Sequence, residues 1–153
     1  MIVLLVDDDP VCRRLLRRLL TRFPEIEVRE ADDGQAAWSM LGDVMPAVIF
    51  CDLQMPVMDG ATLIRKIREH PTFGPIPIIV TSASKDRELL LALKDMQLLD
   101  YLLKPFDLVQ TFARLEKHFA PLLRKFRAEK AAAAAPPAAP PPPPAPPADQ
   151  PAA

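Results

Sequence analysis

Five short runs rich in apolar residues constrain the fold of this chain more than any other feature. The runs are residues 2–6, 26–30, 48–52, 77–81 and 101–103. Each is too short for a helix and carries the β-branched or aromatic residues that strands favour. Between the runs, apolar residues recur at helical spacing. Such strands alternating with helices predict a parallel sheet covered on both faces, with right-handed crossovers. We therefore predict a doubly wound α/β domain of about 125 residues.

Capping and breaking residues set the ends of the predicted helices. Asp9 is a predicted N-cap followed by proline, which suits the first helical position. Asp59 is predicted to cap the third helix, and Asp107 the last. The helices are predicted from Pro10 to about Arg22, around residues 36–41, from Gly60 to about Ile67, from Lys85 to Met96 and from Leu108 onward.

Composition narrows the class of protein. The net charge of −1 gives no general attraction to nucleic acid or membranes, and we expect neither as a partner. The first apolar run meets three aspartates directly, unlike a signal peptide, and no segment approaches the ~20 apolar residues of a membrane span. Cys12 and Cys51 fit neither a disulfide nor a metal-binding spacing. We expect both to be reduced residues in or near the core of a cytoplasmic protein.

Polar side chains follow four of the five predicted strands. Asp7 and Asp8 come after the first strand, Asp52 ends the third, Ser82 follows the fourth and Lys104 the fifth. In doubly wound sheets, ligands bind at this carboxyl edge. Carboxylates packed closely take up protons unless a cation lies among them, and magnesium prefers carboxylate and phosphate oxygens. The pattern predicts a Mg²⁺ site and a phosphoryl group on Asp52. A turn-capping aspartate is the alternative for Asp52, and the convergence of the other strand ends disfavours it.

Four motifs resemble the receiver domain of two-component response regulators, the family that includes the single-domain chemotaxis regulator. They are Val6–Asp9, Asp52–Gly60, Pro77–Ala83 and Tyr101–Phe106. The resemblance spans residues 1–120. It implies a flavodoxin-like (βα)5 fold with strand order 2-1-3-4-5. It also implies a phosphoacceptor in a phosphorelay rather than an enzyme, a protein that assists its own phosphotransfer and slow autodephosphorylation.

The resemblance assigns roles to particular residues. Asp52 matches the phosphoacceptor, which takes its phosphoryl group from a phosphohistidine on a partner. Asp8 and Asp52 would bind Mg²⁺ directly, Asp7 mainly through water, and the backbone carbonyl of Gln54 would be a further ligand. Lys104 would pair with the phosphoryl oxygens, and its bond to the following proline is expected to be cis.

Two neighbouring residues compete for the hydroxyl that senses the phosphoryl group. The family places this hydroxyl five residues after the proline that opens the strand and directly before an alanine, which selects Ser82 over Thr81. Successive strand residues face opposite sides, so both cannot reach the site. Tyr101 matches an aromatic residue that turns inward in the family, and a half-buried strand tyrosine is its alternative.

The turn before the fifth strand departs from the family pattern. Gln97 and Leu98 stand where the family commonly has Gly-Ala. A glycine adopts positive φ freely, so Gln97 either adopts it at a cost or the turn differs.

The last helix carries more apolar residues than one short sheet needs. They alternate at steps of four and three: Leu108, Phe112, Leu115, Phe119, Leu122 and Phe126. About four turns would cover the sheet. We therefore expect Leu122, Leu123 and Phe126 to overhang the domain and to contact a partner or a second copy in a homodimer. The alternative is that they fold back on the core. Pro121 is expected to kink or end the helix.

We thus divide the chain into a receiver domain (1–120), an overhanging helical extension (121–135) and a Pro/Ala-rich disordered tail (136–153). Ten prolines and eleven alanines in residues 131–153 exclude helix or sheet over most of this segment. A Pro-rich docking ligand is the alternative for the tail. No DNA-binding output module is expected.

Five arginines crowd the first helix: Arg13, Arg14, Arg17, Arg18 and Arg22. A solvated face is one interpretation. The other is docking of a histidine-bearing partner, since the family docks it on this helix. His70, at a helix end, and His118, in the middle of a helix, are expected to be surface or boundary residues.

Two classes of function remain from the sequence. The first is a receiver phosphorylated by a sensor histidine kinase or a histidine phosphotransfer protein, which signals to a downstream protein target through altered contacts. The second is a receiver-like scaffold that binds partners through the last helix and tail without phosphorylation. The complete set of polar strand ends favours the first. A third hypothesis, a metal-dependent phosphatase that acts on external substrates, is disfavoured because the sequence shows neither a substrate pocket nor a second acid.

Overall fold

A computed structural model describes residues 1–83 and 91–134. Its elements are β1 (Ile2–Val6), α1 (Pro10–Leu20), β2 (Glu27–Ala31), α2 (Gly34–Met40), β3 (Val48–Asp52), α3 (Gly60–Glu69), β4 (Ile78–Ser82), a 3₁₀ helix (Lys94–Met96), β5 (Asp100–Leu103) and α4 (Leu108–Ala134). The predicted helix from Lys85 to Met96 lies partly outside the described residues, as do Ala135 and the predicted tail (136–153). No helix in the described part is long and apolar enough to cross a membrane.

The five strands form one parallel sheet in the order β2-β1-β3-β4-β5. This confirms the predicted doubly wound, flavodoxin-like architecture. The register pairs Val6 with Cys51, Asp52 with Thr81, and Ser82 with Leu103. The carboxyl ends of the four strands that carry polar residues are therefore level at one edge of the sheet.

Aspartates cap the helices that begin at this edge. Asp9 accepts a hydrogen bond from the amide of Val11 at 2.8 Å, and Asp59 accepts one from Thr62 at 2.8 Å. Asp107 does the same for Gln110 at 2.8 Å. The predicted capping roles of all three are confirmed. Each cap satisfies amide groups that the first turn of a helix leaves unpaired.

Apolar side chains cover both faces of the sheet. One cluster lies on the side of α2 and α3 and includes Cys51 and Ile64. The other lies on the side of α1 and α4, where Phe50, Leu16 and Phe119 are fully buried. Each such side chain contributes roughly 1.5–3 kcal/mol relative to its exposed form. The two clusters hold the sheet edge in place.

The loop between β3 and α3 approaches the sheet closely. A Cβ on Gly60 would lie 2.0 Å from the backbone oxygen of Asp52. Val57 has φ of 66°, and the amide of Met58 donates to the carbonyl of Pro56 at 2.7 Å. An i→i+2 hydrogen bond at positive φ forms a γ-turn that is strained for a β-branched residue. Val57 is 84% exposed, so packing of its side chain does not offset the strain.

In the turn before β5, a residue other than glycine adopts a positive φ, which is the energetically less favourable of the two expected outcomes. Gln97 adopts φ of 49°, one of the two outcomes expected from the missing glycine. Arg68 of α3 donates to the backbone oxygens of Met96 and Gln97, and also to those of Gly74 and Ile76. One guanidinium thus satisfies carbonyls on both segments that flank β4 and stabilises the turn.

Helix α4 differs from its prediction. It runs through Pro121 to Ala134, so the predicted early end is wrong. Leu123 is only 5% exposed within the α1 and α4 core, and Leu122 packs against the same cluster. Phe126 lines a groove with Met1 and Pro24. The predicted overhang of Leu122 and Leu123 is therefore wrong, and they fold back on the core.

The physical reason is that the segment between α1 and β2 adds to the surface on which α4 packs. The segment after α1 carries Phe23, whose ring stacks on Phe112 with centroids 5.6 Å apart. The next residues contribute Glu25, which pairs with Arg127. These residues lengthen the surface that α4 covers beyond the five-residue strands.

We predict that Gly60→Ala destabilises the domain by about 3 kcal/mol or more, because the added Cβ clashes with the backbone of Asp52. Gly42→Ala is the matched control, since a Cβ there meets only the oxygen of Ser39 at 3.6 Å. It should change stability by about 0.5 kcal/mol or less. Urea unfolding measures both, and equal stabilities would contradict the close approach.

We predict that Leu123→Ala costs about 3 kcal/mol, because it leaves a cavity between α4 and the sheet. Val109→Ala, on the same helix at an 80% exposed position, should cost about 0.5 kcal/mol or less. Thermal unfolding followed by circular dichroism compares the two. A Leu123 variant as stable as the Val109 variant would instead support the hypothesis that this part of the helix overhangs the domain.

Candidate functional site

Three carboxylates meet at the carboxyl edge of the sheet. Asp7 is 1% exposed and Asp52 is 4% exposed, whereas Asp8 faces solvent. Oxygen atoms of the three lie within 4.8 Å of one another. Within residues 1–83 and 91–134, this is the one group of three or more acids, histidines and cysteines that lie close enough to share a metal ion. The structure thus brings together the three acids that the sequence analysis singled out.

Lys104 lies between the two buried carboxylates. Its Nζ donates to Oδ2 of Asp52 at 2.7 Å and lies 2.8 Å from Oδ2 of Asp7. Burial would lower the pKa of Lys104. Its hydrogen bond to Asp52, its close contact with Asp7 and the negative charges of both carboxylates outweigh that effect, and they raise the pKa well above the usual lysine value. The bond between Lys104 and Pro105 is cis, as predicted. Lys104 is therefore a permanently charged group aimed at Asp52.

Burial disfavours the charged form of Asp7. It raises the pKa of Asp7 above the ordinary value of 3.8, although the close contact with Lys104 and the hydrogen bond from the amide of Asp9 act in the opposite direction. The contact of Oδ2 with Lys104 is close but lacks the angles of a good hydrogen bond, and within the described residues this buried oxygen has no other partner. A buried carboxylate oxygen with spare capacity beside two further acids suits a hard divalent cation.

Gln54 lies at the rim of the site. Its amide donates to Oδ1 of Asp52 at 3.3 Å, while its side chain is exposed. Together with Lys104 at Oδ2, this contact holds both oxygens of Asp52.

The two candidate hydroxyls are both buried at the end of β4. Ser82 is 0% exposed, and its carbonyl accepts from the amide of Lys104 at 2.9 Å. Thr81 is the cross-strand neighbour of Asp52, and its Oγ1 has no hydrogen bond within the described residues. Tyr101 is partly buried on β5, two strands from Asp52. The choice of Ser82 over Thr81 stays a prediction.

Both cysteines are free thiols. Burial and a hydrogen bond to Asp9 raise the pKa of Cys12 to about 11, so it is protonated at neutral pH. The thiol donates to Oδ2 of Asp9 at 3.1 Å and lowers the pKa of that carboxyl group. Asp9 is thereby occupied as a helix cap and thiol acceptor, outside the three-acid cluster.

Arg13 does not belong to a solvated face. Its side chain is 18% exposed, and it donates to the backbone oxygen of Asp7 while its Nε contacts Glu30 at 3.4 Å. The sequence analysis grouped Arg13 with the other arginines of α1. Its spacing in the helix carries no signal that β2 would place Glu30 opposite it.

The two histidines lie away from the site. The ring of His70 stacks on Phe73 with centroids 4.0 Å apart. His118 contacts Asp100 at 2.9 Å through Nε2. Both are partly buried, which agrees with the predicted surface or boundary positions.

The sequence matches the response regulator receiver domain over residues 3–116. It is 36% identical over 106 residues to chemotaxis protein CheY1 of Helicobacter pylori, covering 68% of this chain and 85% of that protein. It is also 40% identical over 113 residues to sensor histidine kinase TmoS of Ectopseudomonas mendocina, covering 74% of this chain and 11% of that protein. Response regulator PleD of Caulobacter vibrioides is 34% identical over 132 residues, covering 85% of this chain and 29% of that protein. The chain thus spans only a small part of TmoS and PleD.

Solved structures show the same fold. The Mn²⁺-bound form of response regulator Rcp1 has a TM-score of 0.69 at 25% identity, covering 78% of this chain and 91% of that one. A response regulator receiver protein from Pseudomonas putida has a TM-score of 0.68 at 32% identity, covering 76% and 95%. With its parallel sheet and its acidic cluster at the carboxyl edge, the chain belongs to the response regulator receiver domain family.

Proposed function

We propose that this receiver accepts a phosphoryl group on Asp52 from the phosphohistidine of a sensor histidine kinase or a histidine phosphotransfer protein. It then signals to a downstream protein through altered contacts. The observation that carries the proposal is the placement of Lys104 between Asp52 and Asp7, with Asp8 beside them. A scaffold that works without phosphorylation has no need for this costly buried set.

The chemistry needs an ionised Asp52 that can reach phosphorus. A carboxylate oxygen of Asp52 attacks the phosphorus atom, the phosphorus–nitrogen bond breaks, and its electron pair leaves with the imidazole of the donor. The product is an acyl phosphate on Asp52. The hydrogen bonds from Lys104 and from the amide of Gln54 engage both oxygens of Asp52 and hold the carboxyl group in a fixed orientation at the edge of the sheet.

Lys104 changes partner during the transfer. As Asp52 becomes an acyl phosphate, the negative charge of its carboxylate is lost, and charge on the phosphoryl oxygens takes its place nearby. The raised pKa keeps Lys104 charged, and its flexible stem lets the ammonium follow these oxygens. Such a preorganised cation lowers the transition-state energy without reorganisation of solvent.

The residues at this edge fit a magnesium ion. Asp8 and Asp52 would bind it directly, Asp7 mainly through water, and the backbone carbonyl of Gln54 would complete the protein ligands. Three carboxylates and one ammonium leave an excess of two negative charges, and Oδ2 of Asp7 has spare capacity. When bound, the ion would compensate charge on the phosphoryl oxygens. A related response regulator, Rcp1, has been solved with Mn²⁺ bound.

Ser82 is our choice for the hydroxyl that senses the phosphoryl group. Its backbone oxygen accepts a hydrogen bond from the amide of Lys104, so Ser82 lies beside the lysine that would pair with the phosphoryl oxygens. Tyr101 would follow by turning inward from β5. The receiver would then lose its phosphoryl group slowly by hydrolysis, which makes the signal transient.

We predict that incubation with Mg²⁺ and acetyl phosphate produces an acid-stable, base-labile phosphoryl adduct, detected by intact-mass spectrometry. Asp52→Asn should abolish it, and Lys104→Met should slow its formation by about 10²-fold because the phosphoryl charge is left unpaired.

Asp59→Asn is the matched control for the adduct. Like Asp52→Asn, it removes one negative charge, but from the loop that follows β3 and outside the acid cluster. Asparagine is also a good N-cap residue, so the cap of α3 is retained. It should form the adduct at the normal rate. Absence of any adduct with every donor, including a histidine kinase, would favour the scaffold hypothesis.

We predict that Asp7→Asn stabilises the metal-free protein by about 1 kcal/mol and raises its Tm by about 3–6 °C. Because the folded pKa of Asp7 is above its unfolded value of 3.8, the folded chain binds more protons, and ionisation of Asp7 above that pKa lowers stability. Mg²⁺ should stabilise the wild type more than this variant, because binding to the folded state adds to its stability.

Calorimetric unfolding with and without Mg²⁺ checks both effects. Asp43→Asn removes an exposed carboxylate and should change the stability by about 0.5 kcal/mol or less. A loss of stability in metal-free Asp7→Asn would show that the ion pair with Lys104 outweighs the burial of Asp7.

A further inference from the structure

The backbone oxygen of Asp7 lies at a gap between two hydrogen-bonding patterns. The β1 ladder with β2 ends at the pair Val6 and Ala31, and the amide of Asp7 donates to Ala31 at 3.2 Å. Helical bonding in α1 begins with the oxygen of Asp9, which accepts from the amide of Arg13 at 3.1 Å. Among the residues that the structure describes, the oxygen of Asp7 therefore has neither a strand partner nor a helix partner.

Arg13 supplies the missing donor. Its Nη1 lies 2.5 Å from the backbone oxygen of Asp7. Asp7 is 1% exposed, so water is a poor substitute for this hydrogen bond. A buried carbonyl without a donor is unfavourable, and the peptide unit would rotate to seek another partner. Arg13 holds the peptide unit in its present orientation.

The orientation of that peptide unit determines the position of Asp8. The carbonyl of Asp7 and the amide of Asp8 belong to one planar group, so they rotate together. Rotation changes ψ of Asp7 and φ of Asp8, which swings the side chain of Asp8 relative to Asp52. Asp8 is the exposed member of the cluster, so packing restrains its side chain less than it restrains those of Asp7 and Asp52. Its placement therefore depends on the backbone.

Glu30 fixes Arg13 to the sheet. It lies on β2 and contacts Nε of Arg13 at 3.4 Å through Oε2, while its Oε1 accepts from Arg17 at 2.8 Å. The Arg13 side chain is 18% exposed, compared with 56% for Arg17. The two arginines share one carboxylate, but only Arg13 reaches the backbone of Asp7. Arg17 is thus a natural control for the charge of Arg13.

We propose that Arg13 is a positioning residue for the metal site: it holds the Asp7–Asp8 peptide unit so that Asp8 faces Asp52, and it thereby sets the affinity for Mg²⁺. The inference rests on the proposed magnesium site. It opposes the simple electrostatic expectation, since removal of a nearby positive charge would by itself strengthen the binding of a cation.

The experiment measures Mg²⁺ affinity by isothermal titration calorimetry for the wild type, Arg13→Met and Arg17→Met. Outer partners that orient metal ligands typically change metal affinity by 10–100-fold when removed. Arg13→Met should raise the Kd for Mg²⁺ by about tenfold, and Arg17→Met should change it by about twofold or less. Both variants lose one positive charge and one partner of Glu30, so the difference isolates the contact with Asp7.

A kinetic measurement separates positioning from a general loss of structure. The rate of adduct formation with acetyl phosphate should fall in Arg13→Met at limiting Mg²⁺. At saturating Mg²⁺ the rate of this variant should recover to within about twofold of the wild-type rate, because only its affinity for Mg²⁺ is reduced. A variant that stays slow at saturating Mg²⁺ would overturn the proposal.

Further variants keep the test decisive. Arg13→Lys retains the charge but its single ammonium cannot serve both Glu30 and Asp7, so it should also weaken Mg²⁺ binding; it replaces Arg13→Met if that variant fails to fold. Adding Glu30→Gln to Arg13→Met should not restore affinity, and restoration would assign the defect to an unpaired Glu30.

Equal affinities in the Arg13 and Arg17 variants would overturn the positioning role and leave the proposed function intact. A wild type that neither binds Mg²⁺ nor forms the adduct would overturn the proposed function together with this inference.

Discussion

The pairing of Lys104 with Asp52 and Asp7 is the interaction on which the rest of the site depends. Two carboxylates that are almost fully buried repel each other and lose hydration, and one ammonium between them offsets part of that cost. The excess negative charge that remains is of the kind that favours a divalent cation at this edge of the sheet, as the proposed function requires.

The surrounding backbone is arranged to hold this cluster in place. Level strand ends bring the polar residues together, and Gly60 lets the following loop lie against the carbonyl of Asp52. The strained turn at Val57 and the contact of Arg13 with Asp7 belong to the same arrangement. Loops on both sides of the acids are thus held by specific backbone contacts, which suits the proposed binding of an ion and a phosphoryl group with little rearrangement.

Sequence reasoning failed where a distant segment decided the outcome. The apolar pattern of the last helix was correctly seen, but its extent of burial depended on Phe23 and Glu25, which lengthen the surface beneath the sheet. Pro121 did not end the helix, because packing of Leu123 on the core outweighs the loss of a hydrogen bond. The sequence does not distinguish Arg13 from the other arginines of α1, because nothing in the helix itself reveals Glu30 opposite it. In each case the missing information was a contact remote in sequence.

The sequence by itself determined the class of fold, its strand order through family resemblance, the helix caps and the acids of the site. These follow from local signals: short apolar runs, capping residues, and polar residues at strand ends that a parallel sheet must place at one edge. Only the tertiary structure decided which oxygen of Asp52 meets Lys104, how far α4 is buried, and which arginine supports Asp7. Those features depend on distances between segments far apart in the chain, and the packing of the whole core sets these distances.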